Sequence, residues 1–333
     1  MYRKLIKIMY IQHSLIYTTM RQIFRYLLLL ISFFATITLR ASNDQVLHEP
    51  IEGRWDLTVQ IDGRSAASWL EVRRSGNIYL TGHFVADGGS ARPISQIIFK
   101  DNKMSFHIPP QWEVSDKDLI VEGILKDDKL VGTMITPRGQ VCSWVGVRAP
   151  SLWRDKPTVW GKPIHLFNGK NLEGWEALGK NQWVVENGIL RSPKPGANIR
   201  STKTFNDFKL HIEFRCAKES NSGVYLRGRY EVQVEDSKGM EATNIHLGGL
   251  YGFIDPLEMV AKEPGEWQYF DITLEGRLVT IVANGKTIIY KQQIPGITGG
   301  ALDSNEGAPG PIMMQGDHGP IEFRNINITT PKS

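Results

Sequence analysis

The chain has 333 residues, 41% of them hydrophobic and 22% charged, with 32 glycines and 17 prolines, a globular balance that excludes a disordered or collagen-like protein. Its 2 cysteines allow at most one bridge, which excludes a disulfide scaffold and a cysteine-rich zinc protein. The net charge of +4 belongs to the first 41 residues: they carry Arg3, Lys4, Lys7, Arg21, Arg25 and Arg40 and no acid, and taking these six from 39 basic residues leaves 33 against 35 acidic ones, so nothing draws the remainder to a phosphate backbone and nucleic acid is not an expected partner.

Residues 1–41 read as a leader whose translation starts at Met20. Arg21 and Arg25 precede an uncharged, mostly apolar stretch, Tyr26 to Leu39, and Ala41 offers a small residue at a cleavage edge. That is the layout of a secretory signal peptide. The stretch falls short of the roughly 20 residues a spanning helix needs, so no stable membrane span is expected in the mature chain. The expected location is therefore outside the cytoplasm, in the periplasm or cell envelope of a bacterium. A retained N-terminal anchor is the alternative.

Residues 51–149 predict a small antiparallel β domain. Trp55 to Ile61 alternates large apolar and polar residues and breaks at Asp62-Gly63, and similar runs follow to Val147, separated by turns such as Ser75-Gly76-Asn77 and Lys126-Asp127-Asp128. Short strands at this spacing indicate a meander closed as a barrel or folded as a sandwich. Residues 150–163 hold three prolines and no alternation, and read as a linker with Trp153 and Trp160 as anchors. Residues 164–330 predict about ten more strands, a number that suits a two-sheet jelly roll. Within them Asn284-Gly285 sits between two alternating runs, the signature of a type I′ hairpin. The polar, glycine-rich connection 236–266 has a length often found in functional loops. The fold class is thus all-β throughout. Cys142 and Cys216 are expected as separate buried thiols.

Two segments could carry chemistry. In Ser220 to Asp236, strand alternation puts Glu231, Gln233 and Glu235 on one face and Val232 and Val234 on the other, with Tyr225 and Arg227 expected to point together. A solvated outer face would explain the polarity, but a row mixing Tyr, Arg, Glu and Gln also suits a hydroxyl-rich ligand. In the second segment Gln315, Asp317 and His318 crowd one turn, and Glu322 and Arg324 share a face of the next strand. His318 beside a carboxylate could be a general base or a structural hydrogen-bonder.

The run N-S-G-V-Y-L-R-G-R-Y-E-V-Q-V, the phrase L-F-N-G-K-N-L-E-G-W at Leu166–Trp175, P-G-E-W at Pro264–Trp267, Asn284-Gly285, and G-P-I-x-x-Q…H-G…F-R-N-I resemble, in order, the 3-keto-disaccharide hydrolase domain family (formerly DUF1080). The resemblance covers about residues 164–330. It implies a concanavalin-like jelly roll, similar to laminarinase and lectin folds, and cleavage of glycosides oxidised at the 3 position, by hydrolysis or by elimination and hydration. A non-catalytic carbohydrate-binding protein on the same fold is the alternative. The resemblance points to Arg227, Glu231, Gln233, Gln315 and His318. The candidate site reads Glu231 and His318 as catalytic, either one the base, with Tyr225, Arg227, Gln233, Trp267, Gln315 and Arg324 against a carbohydrate substrate.

The spacing Glu231-x-Gln233-x-Glu235 is also similar to the E-x-D-x-E strand of laminarinase-like retaining glycosidases, but the central acid is glutamine here, which argues against two-carboxylate hydrolysis. A ketone at C3 instead acidifies the C2 proton, so a base and an enolate stabiliser suffice, with Arg227 as the expected stabiliser. No cofactor is predicted; a divalent metal at the enolate oxygen has no histidine or paired-cysteine motif behind it. In the first domain Trp112 and Trp144 are candidates for a sugar platform, with alternation favouring a core role for Trp144. An unfilled barrel interior there would instead suit small apolar ligands.

Overall fold

The computed structural model describes Met20 and residues 49–332; the expected leader, with its apolar stretch and Ala41 edge, lies outside them. Residues 49–332 contain no helix. Among the described residues no helix is long and apolar enough to cross a membrane.

Eight antiparallel strands come first: β1 (Gly53–Ile61), β2 (Arg64–Ser75), β3 (Tyr79–Val85), β4 (Arg92–Lys100), β5 (Lys103–Ile108), β6 (Leu119–Lys126), β7 (Lys129–Ile135) and β8 (Val141–Arg148). Each pairs with its sequence neighbour, and β1 returns to β8 in the register Trp55↔Arg148 to Gln60↔Ser143, so the expected barrel-or-sandwich is a closed barrel. Closure leaves no unpaired edge. Alternation aims Trp55, Leu57, Phe84, Phe106, Val121 and Trp144 inward. Trp144 lies flat over Gly123 and Gly132, where any added Cβ would stand within 2.8 Å of its ring. The barrel therefore has a packed interior rather than a cup, and Trp144 is core.

The connector after Arg148 is extended. Trp160 forms a bridge to Pro331, and Lys209 lies over its ring at 5.0 Å. Trp153, expected as a second anchor, is instead 67% exposed. Its neighbour Arg154 takes that role through a two-pronged hydrogen bond to Asp207 at 2.6 and 2.9 Å.

Thirteen further strands follow: β9 (Ile164–His165), β10 (Trp175–Ala177), β11 (Val184–Glu186), β12 (Ile189–Ser192), β13 (Ile199–Ser201), β14 (Phe208–Cys216), β15 (Asn221–Leu226), β16 (Tyr230–Glu235), β17 (Gln268–Glu275), β18 (Leu278–Ala283), β19 (Lys286–Gln293), β20 (Met313–Met314) and β21 (Ile321–Thr329). They form a five-stranded sheet, β10-β13-β20-β15-β16, and an eight-stranded sheet in which β11-β12-β21-β14-β17-β18-β19 are joined by β9. This is the expected jelly-roll sandwich. Its core interdigitates residues such as Phe208, Ile212 and Phe323 from one sheet with Val224, Val232 and Met314 from the other. Asn284 (φ 50°) and Gly285 (φ 83°) make the β18–β19 turn in the left-handed region, as a type I′ hairpin demands.

Barrel and sandwich meet through polar and aromatic contacts. Trp69 meets Phe253 edge-on at 5.2 Å, the Thr58 and Ser304 hydroxyls are hydrogen-bonded, and the Gly300 amide donates to the Asp87 carbonyl at 3.1 Å. At the same junction Glu306 is buried against Arg277, and it accepts a hydrogen bond from the Tyr230 hydroxyl at 2.5 Å. Burial and the neighbouring Glu306 charge hold the Asp56 carboxyl, contributed by β1, well above the usual carboxylate range. Cys142 and Cys216 are both free and buried, in different layers of the molecule.

Candidate active site

Register decides which side chains can meet. In the five-stranded sheet Tyr225 stands opposite Glu231, Gly223 opposite Gln233, and Met313 opposite both Tyr225 and Arg200. Directly paired residues share a face, so Tyr225, Glu231 and Gln233 form one group on the face turned away from the sandwich core. Gln315 follows β20 at the same level, with its backbone N–H donating to the Gly223 carbonyl at 2.9 Å.

This row is not a solvated outer face. Glu231 is 3% exposed and Gln233 2%. The connection 236–266 closes the sheet edge beside it: the Tyr251 and Gly249 backbones bond the main chain of Glu231 and Gln233. The segment around Gly299 and Gly300 covers Tyr225. The exposed Asp317 and His318 and the half-buried Gln315 and Tyr251 mark the open edge of the group.

The Glu231 carboxyl lies over Gly223, where a Cβ would come within 2.1 Å of its Oε1, so only glycine leaves that space. Burial pushes the Glu231 pKa up to about 8, against the hydrogen bond from Tyr225 and helped by the Asp317 charge. Tyr225 Oη lies 2.9 Å from Glu231 Oε2 and 3.0 Å from the Gly299 carbonyl. A phenol has one hydrogen, so it donates to an ionised Glu231, or turns to Gly299 and accepts from a protonated one. The pair thus accommodates both protonation states without moving a heavy atom. Burial, then the charges of Glu231 and Glu235, raise the Tyr251 pKa, which places its hydroxyl within the field of the same acid. Gln233 and Gln315 each bury an amide oxygen that no protein donor reaches. Buried amide oxygens normally find donors, so these two acceptors stand out as unpartnered within the protein. At the edge, Asp317 Oδ1 sits 2.6 Å from His318 Nδ1 and leaves Nε2 free.

Three expected members of the site lie elsewhere. Arg227 lies in the turn after β15 with φ 53°, and this left-handed residue breaks the alternation that would have aligned it with Tyr225. Its guanidinium is fully buried near the barrel junction, donating to the Tyr230 hydroxyl at 2.7 Å and the Gly276 carbonyl at 3.2 Å. Trp267 and Arg324 stack on each other at 3.9 Å on the outer face of the eight-stranded sheet, where Arg324 also donates to Glu213 at 2.6 Å. The residues missed in the sequence are Gly223 and Tyr251. A glycine opposite a polar residue in a strand was the available signal for the first; for the second it was only the length of its loop. Among the described residues no three of His, Cys, Asp and Glu are grouped to hold a metal ion.

A curated relative from Bacteroides thetaiotaomicron, the 3-keto-disaccharide hydrolase, is 27% identical over 89 residues, covering 23% of this chain and 30% of the relative, so the chain spans less than a third of that protein. A crystal structure from Parabacteroides distasonis, assigned by name to the glycosyl hydrolases, is 29% identical and covers 53% of this chain and 92% of its own, at a TM-score of 0.44. The Bacillus licheniformis beta-glucanase, 13% identical, covers 54% of this chain and 100% of its own at a TM-score of 0.32. The profile that matches across half the chain, residues 162–329, carries the sandwich, the Glu231 row and the Asp317-His318 turn together: the protein belongs to the carbohydrate-active family of the 3-keto-alpha-glucoside-1,2-lyase-like domain.

Proposed function

We propose that the protein cleaves 3-keto-glycosides by elimination followed by hydration, with Glu231 and His318 as its proton-transfer pair. The observation that carries the reading is the Glu231 carboxyl, which burial keeps protonated to about pH 8 beside two unpartnered amide oxygens. A carboxyl in that state at neutral pH is a general acid. His318, with Nδ1 held by Asp317, presents Nε2 as a base.

The base takes the C2 proton of the 3-keto sugar, and the electron pair flows through the C2–C3 bond to make an enolate. The enolate collapses, the C1–O bond breaks, and Glu231 gives its proton to the departing oxygen. The sugar is left with a C1=C2 double bond conjugated to the restored C3 ketone. Water then adds at C1, giving its proton to the Glu231 carboxylate, while protonated His318 returns a proton to C2. The net reaction is hydrolysis, with both residues back in their starting states. The amide groups of Gln233 and Gln315 and the Tyr251 hydroxyl supply the polar contacts for the ring hydroxyls and the enolate oxygen, a task for which Arg227 is too far inside the junction.

The leader layout supports export, with action in the periplasm or envelope; N-terminal sequencing of protein recovered from those fractions tests it. The reaction is tested by incubating the chain with 3-keto-disaccharides and native controls in D2O, with and without chelator. Elimination and hydration place deuterium at C2 during turnover. Cleavage without it overturns the mechanism, and cleavage of unoxidised glycosides overturns the substrate class. A second reading, carbohydrate binding without cleavage, is favoured by the 3% exposure of the Glu231 residue under its covering segments. It predicts that every glycan in the panel is returned intact.

A further inference from the structure

The barrel has a polar hollow at one end that the proposed reaction does not use. Its volume is about 400 Å³, and it opens between the β3–β4 loop, the β5–β6 loop carrying Trp112, and the β7–β8 turn. Val59, Leu119 and Met134 from the packed interior form an apolar floor. Arg92, at the start of β4, reaches in from the wall and is only 3% exposed. One guanidinium nitrogen donates to Glu113 at 2.5 Å, and the plane lies 4.0 Å from the Trp112 ring. Its Nε and Nη1 are buried and bond nothing in the protein. A buried guanidinium with two unmet donors is costly unless an acceptor arrives.

The lining selects the acceptor. Asp62, Asp87 and Glu113 stand against Arg92 and Arg138, with Arg64 paired to Asp87 from outside the lining at 3.2 Å, so the hollow offers an anionic ligand no excess of positive charge. The filled barrel below offers no channel for a lipid chain. What remains is a neutral molecule with many hydroxyls and an apolar C–H face: hydroxyl oxygens for Arg92, hydroxyl hydrogens for the carboxylates, and the half-exposed indole and apolar floor for the ring. We infer that the mouth of the barrel is a second carbohydrate site, one that binds a neutral one- or two-hexose unit without cleaving it. The site also borders the first. Gly89 lines the hollow against Trp112 on one side and packs on Gly299 on the other, and Gly299 is the residue whose carbonyl receives the Tyr225 hydroxyl. The inference stands on the barrel alone and does not require the chemistry at Glu231.

Titration calorimetry of the full chain with maltose, cellobiose, trehalose and sucrose, and with glucuronate as an acidic control, tests it. At least one neutral disaccharide is expected to bind, with Kd rising tenfold or more in both Trp112→Ala and Arg92→Lys and unchanged in Glu231→Gln. Thermal melts establish that each variant folds; should Arg92→Lys fail to, the exposed Trp112→Ala decides alone. The inference is overturned if no neutral disaccharide binds, if glucuronate binds more tightly than all of them, or if binding survives Trp112→Ala and disappears in Glu231→Gln. A dead enzyme that still binds through Trp112 would sink the proposed reaction and leave this site standing.

Discussion

Two faces of the sandwich carry nearly the same mixture of residue types and do different things with it. On the outer face of the eight-stranded sheet, Glu213 accepts from Arg324 and Asn325 at 2.6 Å each, Arg215 donates to Glu322 at 2.5 Å, and Trp267 lies under Arg324. Each of these charges has a partner, and despite partial burial the hydrogen bonds hold Glu213 below its usual pKa. On the five-stranded sheet, Glu231 is pushed the other way, and its amide neighbours have acceptors to spare. Exposed ion pairs of the first kind contribute little, whereas a buried acid with a strongly perturbed pKa in a polar group marks a candidate functional site. The contrast is what the proposed function rests on.

The largest test of that contrast is Glu231→Gln, which keeps the shape and removes the titrating proton. Turnover of a 3-keto-disaccharide is expected to fall by about 10²–10⁴-fold with the thermal midpoint preserved. Next is Gly223→Ala, whose methyl would occupy the space of Glu231 Oε1; displacement of the carboxyl should cost turnover about tenfold or more, with a stability loss of about 1–3 kcal/mol in denaturant titration.

Tyr225→Phe comes third. It removes the donor that favours the ionised carboxyl, so the alkaline limb of the rate profile, expected near pH 8 because the acid is lost as pH rises through its pKa, should move to higher pH. Arg324→Ala and Trp267→Ala, on the saturated face, should change turnover by less than about threefold, consistent with the small worth of exposed ion pairs. A tenfold loss in either would erase the distinction between the faces.

A final prediction concerns stability. The folded state holds a proton on Asp56 that the unfolded chain releases near its ordinary pKa. This contribution to stability is therefore complete below the unfolded pKa and disappears as pH climbs through the raised folded value. Asp56→Asn should flatten the fall in thermal midpoint between pH 5 and 8, and an unchanged slope would mean the proton sits elsewhere.

Period-two alternation and turn chemistry were enough to read the all-β class, the meander, the Asn284-Gly285 hairpin and the inward Trp144, because each depends on residues close in sequence. The row from Tyr225 to Gln233 was legible for the same reason. Alternation extended past a strand end misplaced Arg227, since a left-handed residue reverses the side-chain direction; the following Gly228, also at positive φ, was the local sign that the strand had already turned. Trp267 and Arg324 occur in motifs as distinctive as the Glu231 run, yet which sheet a strand joins depends on pairing partners more than fifty residues away, as in Phe214↔Gln268.

By itself, then, the amino-acid order determined which residues form strands, where they turn, and which side of each strand is polar. Tertiary structure alone decided which polar side became buried, because burial comes from the layers laid over and beside it: the 236–266 connection, the Gly299 segment and the barrel. It also decided that Glu231 holds a proton and that Arg92 faces a hollow, since both follow from the water and charge removed by distant parts of the chain.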